Sequence, residues 1–133
     1  MLIHRVLQPE GWPRPSGYAN GVAARGTTLY LAGQVGWTSD RRFEAEDFIG
    51  QVAQALKNVV AVLAAGGAEP RHLVRMVWYV TDKTPYRALA GEVGSVYRLV
   101  IGPVYPAMTL VEVKSLLEDQ ALVEIECTAV VPD

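Results

Sequence analysis

Near its C-terminus the chain carries two runs, Tyr105 to Val113 and Leu122 to Cys127, that alternate as strands do while holding carboxylates inside otherwise apolar sequence. Residues two apart in a strand face the same side, so Glu124 and Glu126 share one face of a sheet and Val123, Ile125 and Cys127 the other. Solvent-facing glutamates are the ordinary outcome of such a pattern, and the role of Glu126 stays open between surface and site. Carboxylates set among apolar groups are also the ones suited to proton transfer, which makes Glu124 the leading candidate for chemistry.

The rest of the chain divides by its periodicity. Leu2 to Leu7 has weak strand character, and Pro9, Gly11, Pro13, Pro15 and Gly17 then rule out helix and indicate an ordered loop. Gly21 to Ala24 and Thr27 to Ala32 flank Arg25-Gly26, a spacing that predicts an antiparallel hairpin. Gly33 to Trp37 breaks the second strand, and its two glycines let a ligand approach the backbone closely; a strand-end bulge explains them equally well. From Asp47 the apolar residues Phe48, Val52, Ala55, Leu56, Val59, Val62 and Leu63 recur at helical spacing, with Asp47 as N-cap and Gly66-Gly67 as terminator. Leu73 to Thr81 is too apolar for a fully solvated strand and reads as central in the sheet. Thr84-Pro85 reads as N-cap and first position of a second helix reaching Val100, with Leu89, Val93, Val96, Tyr97 and Val100 inward. A closing hairpin follows. The order β-β-α-β-α-β-β indicates an α+β fold in a single domain, residues 1–133, with two helices on one face of a mixed sheet. The opposite face, expected to be apolar, then calls for a partner.

Charge and cysteine usage narrow the function classes. A net charge of −2 with no Lys/Arg-rich run supplies no attraction for polyanions, so no nucleic-acid partner is expected. Arg5, Arg14, Arg25 and the Arg41-Arg42 pair read as solvated surface. The lone Cys127 excludes an intrachain disulfide framework, fits a reducing cytoplasmic setting, and reads as a buried structural thiol. No metal cluster is spaced along the chain, and His4 and His72 lack partners at catalytic or ligand spacing. No leader pattern opens the sequence, and no apolar run approaches the ~20 residues of a membrane span, so no membrane partner is expected.

Four segments resemble one family in its own order and spacing. Pro106-Ala107 leading into a strand with Glu112, then Val123-Glu124-Ile125-Glu126, is similar to the end of the YjgF/RidA family of reactive enamine/imine deaminases. Ser16 to Gly21 resembles that family's N-terminal Gly-Pro-Tyr-Xaa-Gln-Gly element, Leu29 to Val35 its strand ending in Ser-Gly-Gln, and Arg75 to Asp82 its central strand. The resemblance covers nearly the whole chain. It implies a chorismate-mutase-like fold assembled as a homotrimer with pockets between subunits, and hydrolysis of a C=N bond without metal or organic cofactor.

Active members of the family carry arginine where this chain has Met108. An arginine there holds a carboxylate through a bidentate, charge-assisted pair, whereas methionine offers a polarisable apolar chain. Ala32 stands where many members have serine, and Gly94 where some have asparagine. The resemblance therefore implies Glu124 as the acid/base. The Gly33 region and the backbone from Ala107 through Met108 to Thr109 would orient a small-molecule substrate that lacks a simple free carboxylate anchor. Tyr18 either closes the pocket or anchors its loop; Trp37 and Tyr79 supply aromatic walls; Trp78 reads as core or interface packing. Arg14 or Arg25 of a neighbouring subunit is a candidate to replace the missing guanidinium. The alternatives are a non-catalytic trimer binding a metabolite or partner protein, and an endoribonuclease, which the acidic charge disfavours.

Overall fold

The alternating segments assemble into two sheets in the computed structural model, which describes residues 3–133. Strands β1 (Arg5–Leu7) and β2 (Gly21–Ala23) form a two-stranded antiparallel ribbon. Then come β3 (Thr27–Val35), α1 (Phe48–Ala65), β4 (Leu73–Val80), α2 (Lys83–Ala88), α3 (Ala90–Val100), β5 (Ala107–Glu112) and β6 (Val123–Val131). The main sheet runs β3-β6-β4-β5, antiparallel except for the parallel β4–β5 pair. This is the α+β architecture expected, with β4 internal to the sheet.

The strand partners differ from expectation in two places. The segment around Arg25-Gly26 is no hairpin: β2 pairs with β1, and β3 pairs with β6 from Thr27↔Val131 onward. Gly26 is used for close approach, since a Cβ there would fall 2.1 Å from the Val131 carbonyl oxygen. Nor is the end of the chain a hairpin. β5 lies on the far side of β4, reached by the helical crossover, and the connection 113–122 carries the chain back to let β6 fill the gap between β3 and β4.

Helix α1 starts where Asp47 accepts from the Gly50 N–H (3.0 Å) and buries Phe48, Val52, Ala55, Leu56, Val59 and Leu63 against β3 and β6. Val62, expected on that stripe, is exposed. By length and mean hydropathy (1.4 over 18 residues) α1 is apolar enough to cross a membrane, which the sequence reading missed. Its apolar stripe is the core of the fold, and its polar residues are tied into that fold. Buried Gln51 donates to the carbonyls of Ala45 (3.2 Å) and Gln120 (2.9 Å) and accepts from the Leu122 N–H (2.8 Å). Asn58 donates to the carbonyls of Val35 (3.0 Å) and Trp37 (2.7 Å), pinning the end of β3.

The expected second helix is two. Asp82, not Thr84, caps α2 by accepting from the Thr84 N–H (2.9 Å), and Pro85 sits within the first turn, where an N–H has no helical partner to lose. Leu89, at φ −109° and ψ 28°, ends α2 and starts α3. Val93 and Tyr97 turn inward from α3, while Leu89, Val96 and Val100 are only partly buried.

The face of the sheet away from the helices is mixed rather than uniformly apolar as expected. It carries Tyr30, Arg75, Tyr79, Glu124, Glu126 and Thr128 beside Val77, Val111 and Val130, with Tyr30 83% and Val111 40% exposed.

Both histidines serve the frame. His4 bridges to the Val130 carbonyl (2.8 Å), and buried His72 accepts the Glu69 N–H at Nδ1 (2.9 Å). Burial, followed by the Arg71 charge, lowers the His72 pKa from 6.5. A base with a depressed folded pKa leaves the unfolded chain binding more protons, so its stabilisation is complete above pH 6.5 and is lost as pH falls from there. Protonation also converts the Nδ1 acceptor into a donor facing an N–H. Thermal melts from pH 7.5 downward are expected to show Tm falling below about pH 6.5, with the fall reduced in His72→Gln; equal pH slopes in the two proteins would exclude His72 as the cause.

Candidate functional site

The expected site residues fall into separate places on one chain, set by strand parity and sheet order. Met108 pairs with buried Met76 across the parallel ladder and so shares its helix-side face. Glu124 pairs with Tyr79, three residues further along β4, and so lies on the opposite, uncovered face. A single subunit does not bring these two side chains to one cavity.

On the uncovered face, Gly33 and Glu124 meet. The β3–β6 register slips between Leu31 and Gln34, and this bulge places Gly33 beneath the Glu124 carboxylate. A Cβ on Gly33 would lie 2.2 Å from Glu124 Oε2, so the carboxylate occupies the space a side chain would take. Next to it, the Tyr79 hydroxyl donates to Glu126 Oε1, and this bond is the leading cause of the raised Tyr79 pKa. Tyr79 is therefore committed to Glu126, whose role was open from sequence, and Glu124 is not the carboxylate it holds. Cys127 is buried behind this pair, and burial pushes its thiol up to about 12, consistent with an inert structural cysteine.

On the helix side, Met108 lines a cavity of about 560 Å³ between β5, α2 and α3, a size suited to a small molecule. Its walls are aromatic. Trp78 packs edge-on to Tyr86 (5.8 Å, 74°), and Tyr97 stacks on Tyr105 (5.5 Å, 15°). The Tyr97 hydroxyl donates to the Val104 carbonyl, and burial raises its pKa. The rim comes from Pro15, Ser16 and Gly17, held in place because Ala19 bridges to Ala107 and donates to the Pro106 carbonyl (3.0 Å). Tyr18 is exposed and lines an adjoining hollow with Arg14, sharing Pro15 and Tyr105 with the main cavity.

The remaining expected residues sit elsewhere. Thr109 is exposed on the uncovered face opposite Val77, and Ala107 lies between Arg75 and Ala19. Trp37 packs on Phe43 (5.8 Å) under the Arg41 guanidinium and is not among the cavity residues. Arg25 lies in a hollow with Ile3, His4 and Pro132. The guanidinium that does line the Met108 cavity belongs to Arg98, which sequence reasoning passed over along with Tyr86 and Tyr97. Among the described residues no cluster of His, Cys, Asp and Glu could hold a metal ion.

A family model described as Endoribonuclease L-PSP matches residues 13–131. The chain belongs to this family, the YjgF/RidA family. This YjgF/RidA member is 35% identical over 127 residues to a RutC family protein of Aquifex aeolicus, a match covering 95% of this chain and 98% of the relative. Its fold is similar to that of YyfB from Yersinia pestis, described as a protein of unknown function of the conserved Rid protein family. The TM-score is 0.84 at 32% identity, covering 96% of this chain and 98% of that one. It is also similar to a YjgF/YER057c/UK114 family member of Mycobacterium tuberculosis, with TM-score 0.66 at 33% identity and coverage of 86% and 87%.

Proposed function

We propose that this YjgF/RidA member hydrolyses reactive enamine or imine metabolites, releasing ammonia, with a pocket retuned away from substrates anchored by a carboxylate at position 108. The observation that carries the reading is the Glu124 carboxylate seated over Gly33 on an uncovered sheet face. In the proposed reaction the enamine first tautomerises to its imine. Glu124 takes a proton from water as the oxygen bonds to the imine carbon and gives it to nitrogen, forming a carbinolamine. It then takes the carbinolamine hydroxyl proton and passes it to nitrogen as the C–N bond breaks and the C=O bond forms, leaving carbonyl product and ammonia.

The cavity at Met108 supplies binding and Glu124 supplies proton transfer, yet they lie on opposite sheet faces. A homotrimer that sets one chain's cavity against the next chain's Gly33–Glu124 unit resolves this, and the uncovered face is the surface on which such packing would occur. The endoribonuclease in the family model's description draws no support from the cavity, which has one charged lining residue in a chain of net charge −2.

The test is ammonia and carbonyl release from freshly generated imines, aliphatic and aromatic, with and without a free carboxylate. Release above the uncatalysed rate from the bulkier members, with little on small aliphatic 2-imino acids, is expected. Saturable binding with no release from any member would replace the hydrolase by a non-catalytic metabolite-binding trimer.

A further inference from the structure

We infer that Arg98 is the anion-binding residue of the Met108 cavity, and that this cavity selects ligands with an aromatic body bearing a carboxylate. The substrate class rests on the hydrolase reading above; the binding site does not.

Arg98 is the one charged residue among those lining the cavity, and no carboxylate lines it. Among the described residues the ion pair present is Arg71–Glu69, so Arg98 has no acidic partner. Among the described residues its one side-chain hydrogen bond is long, 3.4 Å to Ser95 Oγ, and engages one of five N–H donors on a fork shaped for a carboxylate. Gly94, one turn earlier on α3, leaves the guanidinium its place: a Cβ there would lie 3.3 Å from Arg98 Nη1. A larger residue at 94 would compete for that space.

The other walls define the rest of the ligand. Trp78, Tyr86, Tyr97 and Tyr105 present ring surface, and half-buried Met108 adds a polarisable side chain that packs well on rings. The Tyr97 hydroxyl is already engaged with Val104, and the buried Trp78 Nε1–H, which has no partner among the described residues, is a neutral donor in the ring wall, so the exposed Arg98 is the one cationic donor a ligand meets. An apolar pocket with one cation at its wall favours a ring carrying a single negative charge over either a neutral ring or a small hydrophilic anion.

Benzoate and benzamide share a ring and differ in charge, so calorimetric titration of the full chain with each isolates the anion preference without requiring turnover. Wild type is expected to bind benzoate about 10- to 100-fold tighter than benzamide, with the ratio shrinking as salt rises. Arg98→Gln is expected to abolish the ratio while keeping benzamide affinity, Arg98→Lys to keep part of it, and Arg14→Gln, in the adjoining hollow, to leave it intact. Equal affinities in wild type, no binding of either probe, or a preference lost in Arg14→Gln but kept in Arg98→Gln would each overturn the assignment. Absence of imine hydrolysis alongside an Arg98-dependent benzoate preference would remove the hydrolase and leave the anion site.

Discussion

Glu124→Gln is expected to lower kcat/KM by about 10²- to 10⁴-fold on whichever imines the wild type turns over, with the melting temperature little changed. Glutamine keeps the size and much of the hydrogen-bonding capacity of glutamate but cannot accept a proton from water at neutral pH. The side chain is only half-buried, so the substitution disturbs no core packing. Glu126 provides the internal control. It stands on the same face one pleat away, but its carboxylate receives the Tyr79 hydroxyl, so Glu126→Gln should weaken a local hydrogen bond and leave the chemical step largely intact. Steady-state ammonia release by the three proteins decides the matter. Unchanged rates in Glu124→Gln would falsify its role as proton carrier, and equal losses in both variants would point to a general effect of charge on that face.

Much of this arrangement was legible in the sequence because it depends on local periodicity. The alternation through Val123-Glu124-Ile125-Glu126 fixed which side chains share a face, and the recurrence from Phe48 to Leu63 after Asp47 fixed α1 and its cap. Pairing was less legible. Arg25-Gly26 has the composition of a tight turn, but Gly26 is required by the closeness of the Val131 backbone, a contact more than a hundred positions away that no local window contains. The same limit hid β6 between β3 and β4, because a short connection between two alternating runs suggests a hairpin whether or not another strand already borders the first.

The cavity was illegible for a related reason. Trp78, Tyr86, Tyr97 and Arg98 come from a strand and two helices, and each has an ordinary structural explanation taken alone. Arg98 reads as a solvated cation in the last turn of α3; its meaning depends on Gly94 beneath it and Met108 across from it. What a single signal did reveal was an absence, the missing arginine at 108, without showing where another cation lay.

Gly33→Ala is the second large effect expected, and it separates position from chemistry because no titratable group changes. Gly33 is not among the glycines held at positive φ, so alanine meets no backbone penalty there. The three atoms nearest the added Cβ would all belong to the Glu124 side chain, at 2.2 Å from Oε2, 2.7 Å from Cδ and 2.8 Å from Cγ. These atoms belong to the end of a flexible side chain that can rotate away, so stability should change little while the carboxylate leaves its seat. Displacing a reacting group by an ångström costs about 10²-fold in rate, and kcat/KM is expected to fall by roughly that factor. Gly36→Ala, three residues on, should behave in the opposite way. There the new Cβ meets the Gln51 Cα and carbonyl oxygen at 2.7 Å, atoms of the α1 backbone that cannot swing aside, so the melting temperature should drop. Full activity in Gly33→Ala would mean that the carboxylate works equally well away from Gly33, and the bulge in β3 would then have no catalytic purpose.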